Sequence, residues 1–125
     1  FRGGGRVFGP QPRSYNFKVN KKVKLIARKS ALSYMAKDMN IIVLEDFTFD
    51  KPNTKSYNDF LSNFDLLDNK TVLVLAESNK NIFLSSRNLR MARVVLASEL
   101  NTYDVVNANK LMIMESSINI IEKNF

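Results

Sequence analysis

Four short aliphatic runs, at residues 41–44, 71–76, 94–97 and 111–114, alternate with stretches of helical periodicity. This alternation restricts the fold more than any other feature of the chain. Each run is nearly continuous in Val, Ile, Leu or Met, so each strand is expected to be covered on both faces. Strands of that kind, separated by helices, make a parallel sheet. Right-handed crossovers then place helices on either side of it. The expected class is α/β: a three-layer α/β/α domain with a four-stranded parallel sheet. A length of 125 residues suits one domain with a sizeable core.

The helical stretches are read from spacing. Residues 18–37 form the first, capped by Asn16 or Asn20. Val19, Val23, Ile26, Ser30 and Tyr34 share one side of it, and Lys18, Lys21, Lys22, Lys24, Arg28 and Lys29 gather opposite. Asn53 or Thr54 caps a second, with Tyr57, Phe60, Leu61 and Phe64 at i, i+3, i+4, i+7. Residues 79–89 form a third, with Ile82, Phe83, Ser86 and Leu89 toward the core. Residues 102–107 form a short fourth, and a last helix carries Ile118, Ile121 and Phe125. The aromatic stripes at helical spacing are core positions, not a cofactor box.

Charge divides the chain differently. Ten of the nineteen Lys and Arg residues lie among the first 37, and the first carboxylate is Asp38. The remainder holds nine bases and all twelve acids, so a net charge of +7 joins a segment of about +10 to a body of about −3. Residues 1–17 hold all four glycines with Pro10 and Pro12, which excludes a regular helix or strand there. Arg2, Arg6 and Arg13 interleave with Phe1, Phe8, Tyr15 and Phe17. Arg pairs with phosphate and aromatic rings stack on exposed bases, so this arm suits RNA better than a plain linker would. Its glycines match neither a dinucleotide fingerprint nor a P-loop. The basic helix that follows has no acid to mix with its lysines. A polyanion is the partner that pattern calls for. A membrane-surface helix is the weaker alternative, because the apolar side lacks a large wedge residue.

One constellation points toward chemistry. Acids follow each aliphatic run: Glu45 and Asp46, Glu77, Glu99 and Glu115. Carboxyl ends of parallel strands are where ligands bind, and clustered carboxylates there could hold Mg²⁺ for phosphodiester chemistry. The blander explanation is helix-dipole compensation next to the cap candidates Ser78, Ser98 and Ser116. The chain has no His and no Cys, which removes thiolate metal sites and the usual nucleophile–base pairs. Absence of Cys suits a reducing compartment. No apolar run approaches the ~20 residues of a membrane span. The chain begins with Phe1 instead of Met, as a fragment or a processed piece would.

The stretch RGGGRVFGPQPRSYNFKVNKKVKLIARKSAL (residues 2–32) closely resembles the family of bacterial large-subunit ribosomal protein four, with its GGG-x-VFGP-x-PR-x-Y segment leading into a basic helix. VLEDFTFDKPNTK (43–55), NIFLSSRNL (81–89) and ASELNTYDVVNANKLMIMESSI (97–118) match in order, so the resemblance covers nearly the whole chain. It implies an α/β domain that binds ribosomal RNA and acts early in assembly of the large subunit. It also implies a long loop reaching the nascent-peptide exit tunnel and, in some members, repression of the protein's own operon. Most of that loop precedes the GGG segment in the family, and this chain is expected to begin where the loop returns to the body.

Residues and resemblance together give an expected organisation: an extended arm over 1–17, then a globular domain over 18–125 that begins with the basic helix. The expected function is a structural constituent of the large ribosomal subunit, cytoplasmic and not enzymatic. Its partners are large-subunit ribosomal RNA and neighbouring ribosomal proteins, with no membrane, small-molecule substrate, metal or cofactor. Arg2, Arg6, Arg13, Lys18, Lys21, Lys22, Lys24, Arg28 and Lys29 are the expected phosphate contacts, with Lys55 and Arg87 as further candidates. Phe8 and Tyr15 pack against RNA or brace the arm. Recognition is expected to be of RNA shape and backbone, because side chains cannot read the deep major groove of A-form RNA. The competing readings are a small Mg²⁺-dependent enzyme built on the strand-end acids, and a basic module that docks an acidic protein.

Overall fold

The computed structural model describes residues 2–124. They form α1 (Lys21–Lys37), β1 (Ile41–Leu44), α2 (Thr54–Ser62), β2 (Thr71–Leu75), α3 (Lys80–Ser86), β3 (Ala92–Leu96), α4 (Thr102–Asn107), β4 (Lys110–Met114) and α5 (Glu115–Lys123). All strand pairs are parallel, in the order β1-β4-β2-β3. Val74 lies between Ile113 and Val95, and Leu73 between Met112 and Val94.

Alternation along the strands feeds two cores. Val72, Val74, Val95, Leu111 and Ile113 pack with Ala31 and Met35 of α1, Val105 of α4, and Ile118, Ile120 and Ile121 of α5. Leu73, Leu75, Met112 and Met114 face the other way, onto Tyr57 and Leu61 of α2 and Ile82 of α3. The result is the expected three layers. The central β2 is buried along its whole length, whereas β1 and β3 at the edges are only partly covered. The loop between β1 and α2 is tied to α3: Asn81 Nδ2 donates to the Phe49 carbonyl (2.7 Å), and the Asn53 amide to Ser85 Oγ (2.8 Å).

Several local expectations need correction. α1 begins at Lys21, not at 18, and Asn20 at its N-cap makes no side-chain cap bond. Its packing face is not the Val/Ile/Tyr stripe. Val23, Ile26 and Tyr34 are 52%, 65% and 65% exposed, and the buried positions are Ala31 and Met35, flanked by partly buried Leu25, Arg28 and Leu32. Two apolar stripes run along this helix, and the one with small Ala31 at its centre is the one that lies against α4. β3 starts two residues earlier than its aliphatic run, because Ala92 and Arg93 pair in register with Thr71 and Val72. Phe83 is 49% exposed instead of core, since α3 ends at Ser86 and buries only Ile82, Ser85 and Ser86.

Asn53 caps α2 as expected, whereas α3 and α4 are capped by Asn79 and Asn101 and not by Ser78 or Ser98. Asn53, Asn79 and Asn101 each accept backbone N–H bonds from their own helices through the side chain. α5 has no local cap, and Asp46 supplies one from the loop after β1. α1 and α2 both end with a non-glycine residue at positive φ, Met39 (53°) and Asp65 (55°). The paired bonds Asn40 N–H to Met35 O with Met39 N–H to Ala36 O, and Leu66 N–H to Leu61 O with Asp65 N–H to Ser62 O, identify Schellman closures. Phe1, read above as an arm aromatic, and Phe125, read as carried by the last helix, lie outside the described residues.

Candidate nucleic-acid interface

Residues 5–20 have no helix or strand, and nearly every side chain along them is exposed. Gly3 and Gly4 open the arm as a turn with φ of 74° and 77°. An added Cβ would meet nothing within 4 Å at either position, so only the backbone conformation favours glycine there. Phe8 stands 95% exposed, and the Arg13 guanidinium lies 4.6 Å over the Tyr15 ring. That stack holds one cation and one ring together as a presented pair.

The arm leads into an electrostatically unusual helix start. Lys21, Lys22 and Lys24 occupy the first turn of α1, which contains no acid. Unsatisfied N–H groups give that turn a partial positive charge, so each lysine there is repelled by the helix as well as by its neighbours. The same arrangement favours anions: free N–H groups at the helix start lie among three ammonium groups spread around the turn. α1 also outreaches the sheet. Seventeen helical residues span ~25 Å against ~16 Å for a five-residue strand. Full burial is confined to its second half, and Lys21, Lys22 and Lys24 are exposed.

The expected contacts therefore separate. Arg2, Arg6, Arg13, Lys18, Lys21, Lys22, Lys24 and Lys29 are all exposed along the arm and α1. Arg28 departs from them: it lies on the packing face between Leu25 and Leu32 and is partly buried. Lys55 is on the first turn of α2. Arg87 is exposed at the C-cap of α3, apart from the arm. Three further cations that the sequence did not single out, Lys70, Arg90 and Lys110, lie at or just before the starts of β2, β3 and β4. Lys70 and Lys110 stand singly in the sequence and Arg90 lies between Arg87 and Arg93, so only the order of the strands reveals the grouping.

The strand-end acids do not assemble into a metal centre. Asp46 and Glu77 border one open groove of about 370 Å³ with Thr48, Ser78 and Ser116. Glu99 borders a different depression beside Phe83 and Val94, and Glu115 sits in the first turn of α5. Among the described residues no three acids lie close enough to hold an ion. Asp46 is already engaged: its Oδ1 accepts the Ser116 hydroxyl at 2.9 Å and the Ser116 amide at 3.4 Å. No helix among the described residues is long and apolar enough to cross a membrane.

Comparison with known proteins agrees with the resemblance. Residues 1–124 match the ribosomal protein L4/L1 family. The chain is 56% identical over 124 residues to the large ribosomal subunit protein uL4 of Flavobacterium johnsoniae, covering 99% of this chain and 59% of that protein. It is 55% identical over 123 residues to uL4 of Parabacteroides distasonis, covering 98% and 59%. With uL4 of Amoebophilus asiaticus it shares 51% over 125 residues, covering 100% and 60%. The chain thus spans about three-fifths of the length of these relatives, which are named as proteins of the large ribosomal subunit and not as enzymes. Matched along essentially its whole length, the chain belongs to the ribosomal protein L4/L1 family.

Proposed function

We propose that this chain is a structural, RNA-binding part of the large ribosomal subunit, seated on ribosomal RNA through its arm and the N-terminal half of α1. In this reading the chain is cytoplasmic, sits among neighbouring ribosomal proteins, takes part in assembly and lies near the peptide exit tunnel; relatives named as proteins of the large ribosomal subunit support it. The observation that carries this is the first turn of α1. Three lysines stand against the helix dipole with no acid before Asp38. An arrangement that opposes itself in the free chain is relieved when phosphates arrive. Arg2, Arg6, Arg13, Lys18 and Lys29 extend the same surface, and Phe8 and the Arg13–Tyr15 pair offer faces for bases. Contacts of this kind read backbone and shape more than sequence.

The test is salt dependence of binding to large-subunit RNA. Six to nine phosphate contacts give a slope of log affinity against log salt of roughly −4 to −8, at about 0.7 to 0.9 per contact. Lys21→Ala with Lys22→Ala shallows it by roughly 1 to 2. A slope near zero with affinity intact would favour an acidic protein as the partner.

A further inference from the structure

Acids gather at one end of the sheet, and several cations stand among a few acids at the other. Glu45, Asp46, Glu77, Glu99 and Glu115 all follow the strands, whereas cations mark their beginnings. Lys110 opens β4 and is the register partner of Thr71; Thr71 is in turn the partner of Ala92. Lys70 lies one residue before Thr71 and Arg90 two before Ala92, so the three cations stand staggered at the starts of three adjacent strands. Lys70, Arg90 and Arg93 line a notch of about 300 Å³ at this end.

What holds these cations is informative. Lys110 Nζ donates to Asn40 Oδ1 (2.8 Å) and to the Met39 carbonyl (3.2 Å), and Lys70 Nζ donates to Asn107 Oδ1 (3.3 Å). Neutral amides fix their positions and leave their charge intact. Arg93 differs: its guanidinium is 2.9 Å from Asp104, a carboxylate only 2% exposed, so this cation is already committed to the fold. Asp38, Asp65 and Asp68 occupy loops near this end, yet none forms an ion pair with Lys70, Arg90 or Lys110. Positioned, uncompensated cations beside amide side chains suit the phosphates and ribose hydroxyls of a nucleic-acid backbone.

This end is distinct from the arm. α1 ends three residues before β1 starts, so its lysine turns lie toward the opposite end of the sheet, ~25 Å away along the helix. We propose that the N-terminal end of the sheet, through Lys70, Arg90 and Lys110, is a second contact for an RNA phosphodiester backbone. This rests on the RNA-binding reading above. The domain would then bridge two RNA segments instead of hanging from one.

The test uses the full chain on large-subunit RNA, with hydroxyl-radical footprinting and salt titration. The pair Lys70→Gln with Arg90→Gln is compared with Lys21→Ala with Lys22→Ala; all four positions are exposed. Two protected RNA tracts are expected, one lost by each pair, and each pair shallows the salt slope by about 1.4 to 1.8, two contacts' worth. Thermal midpoints stay unchanged, and Lys70→Arg with Arg90→Lys keeps the second tract. If the Lys70/Arg90 pair has wild-type footprint and slope while the arm pair weakens binding, the second contact is overturned and RNA binding by the arm stands. A loss shared by the charge-preserving pair also overturns it, because packing and not charge would be at work. Absence of salt-dependent RNA binding by the wild-type chain overturns both readings.

Discussion

Asp46, just beyond β1, accepts both the hydroxyl and the backbone amide of Ser116 in the first turn of α5. The two residues are seventy positions apart and meet because β1 and β4 are neighbours in the sheet. The bond does for α5 what Asn53, Asn79 and Asn101 do locally for α2, α3 and α4.

Asp46→Ala is expected to cost about 0.5 to 1 kcal/mol, the lower part of the range for a lost N-cap because the site is exposed. Asp46→Asn, which keeps an acceptor, costs less. Urea unfolding checks both, and RNA affinity stays at its wild-type value.

Tyr57 is fully buried, and its hydroxyl has no hydrogen-bond partner among the described residues. Burial disfavours the phenolate and raises the pKa far above the usual 10. The folded-state value exceeds the unfolded one, so the stability it contributes is complete below about pH 10 and is lost as pH rises beyond. Tyr57→Phe removes a buried polar atom without opening a cavity. It is expected to leave stability at pH 7 unchanged or raised by up to about 1 kcal/mol, and to move alkaline unfolding to higher pH. Circular dichroism across an alkaline titration shows the shift.

Met39 holds a left-handed conformation at the end of α1 and is almost fully solvent-exposed. Met39→Gly relieves that strain with no packing to lose, for a gain of about 0.5 to 1 kcal/mol, and Met39→Val loses a similar amount. Chemical denaturation midpoints at constant m-value decide it.

Removal of residues 1–15 takes away exposed chain and none of the two cores. A single cooperative melt near the wild-type midpoint is expected, together with weaker RNA binding. Broad or multiphasic melting would show that the arm belongs to the folding unit.

Glu77→Gln separates dipole compensation from metal binding. Loss of one exposed acid beside a helix start costs about 0.3 to 1 kcal/mol at most. Calorimetry with Mg²⁺ or Mn²⁺ is expected to show no saturable site in the RNA-free wild-type chain, and RNA affinity is unchanged by the substitution. A micromolar site abolished by this change would restore the enzyme reading.

Much of this protein was legible in its residues. Continuous aliphatic runs such as TVLVL specify strands covered on both faces, because no side of such a strand tolerates water. With helices between them, the parallel three-layer architecture follows. The acid-free first 37 residues likewise declare a strongly cationic segment, since charge needs no fold to be counted. Contacts over long sequence distances were decided only by tertiary structure. Which of two apolar stripes α1 buries depended on how closely Ala31 and Met35 could approach α4. Which residue caps α5 depended on β1 lying beside β4, which brings Asp46 to Ser116. Lys70, Arg90 and Lys110, far apart in the sequence, were brought to the starts of three adjacent strands by the order of the sheet, a property of hydrogen bonding between strands that local periodicity does not encode.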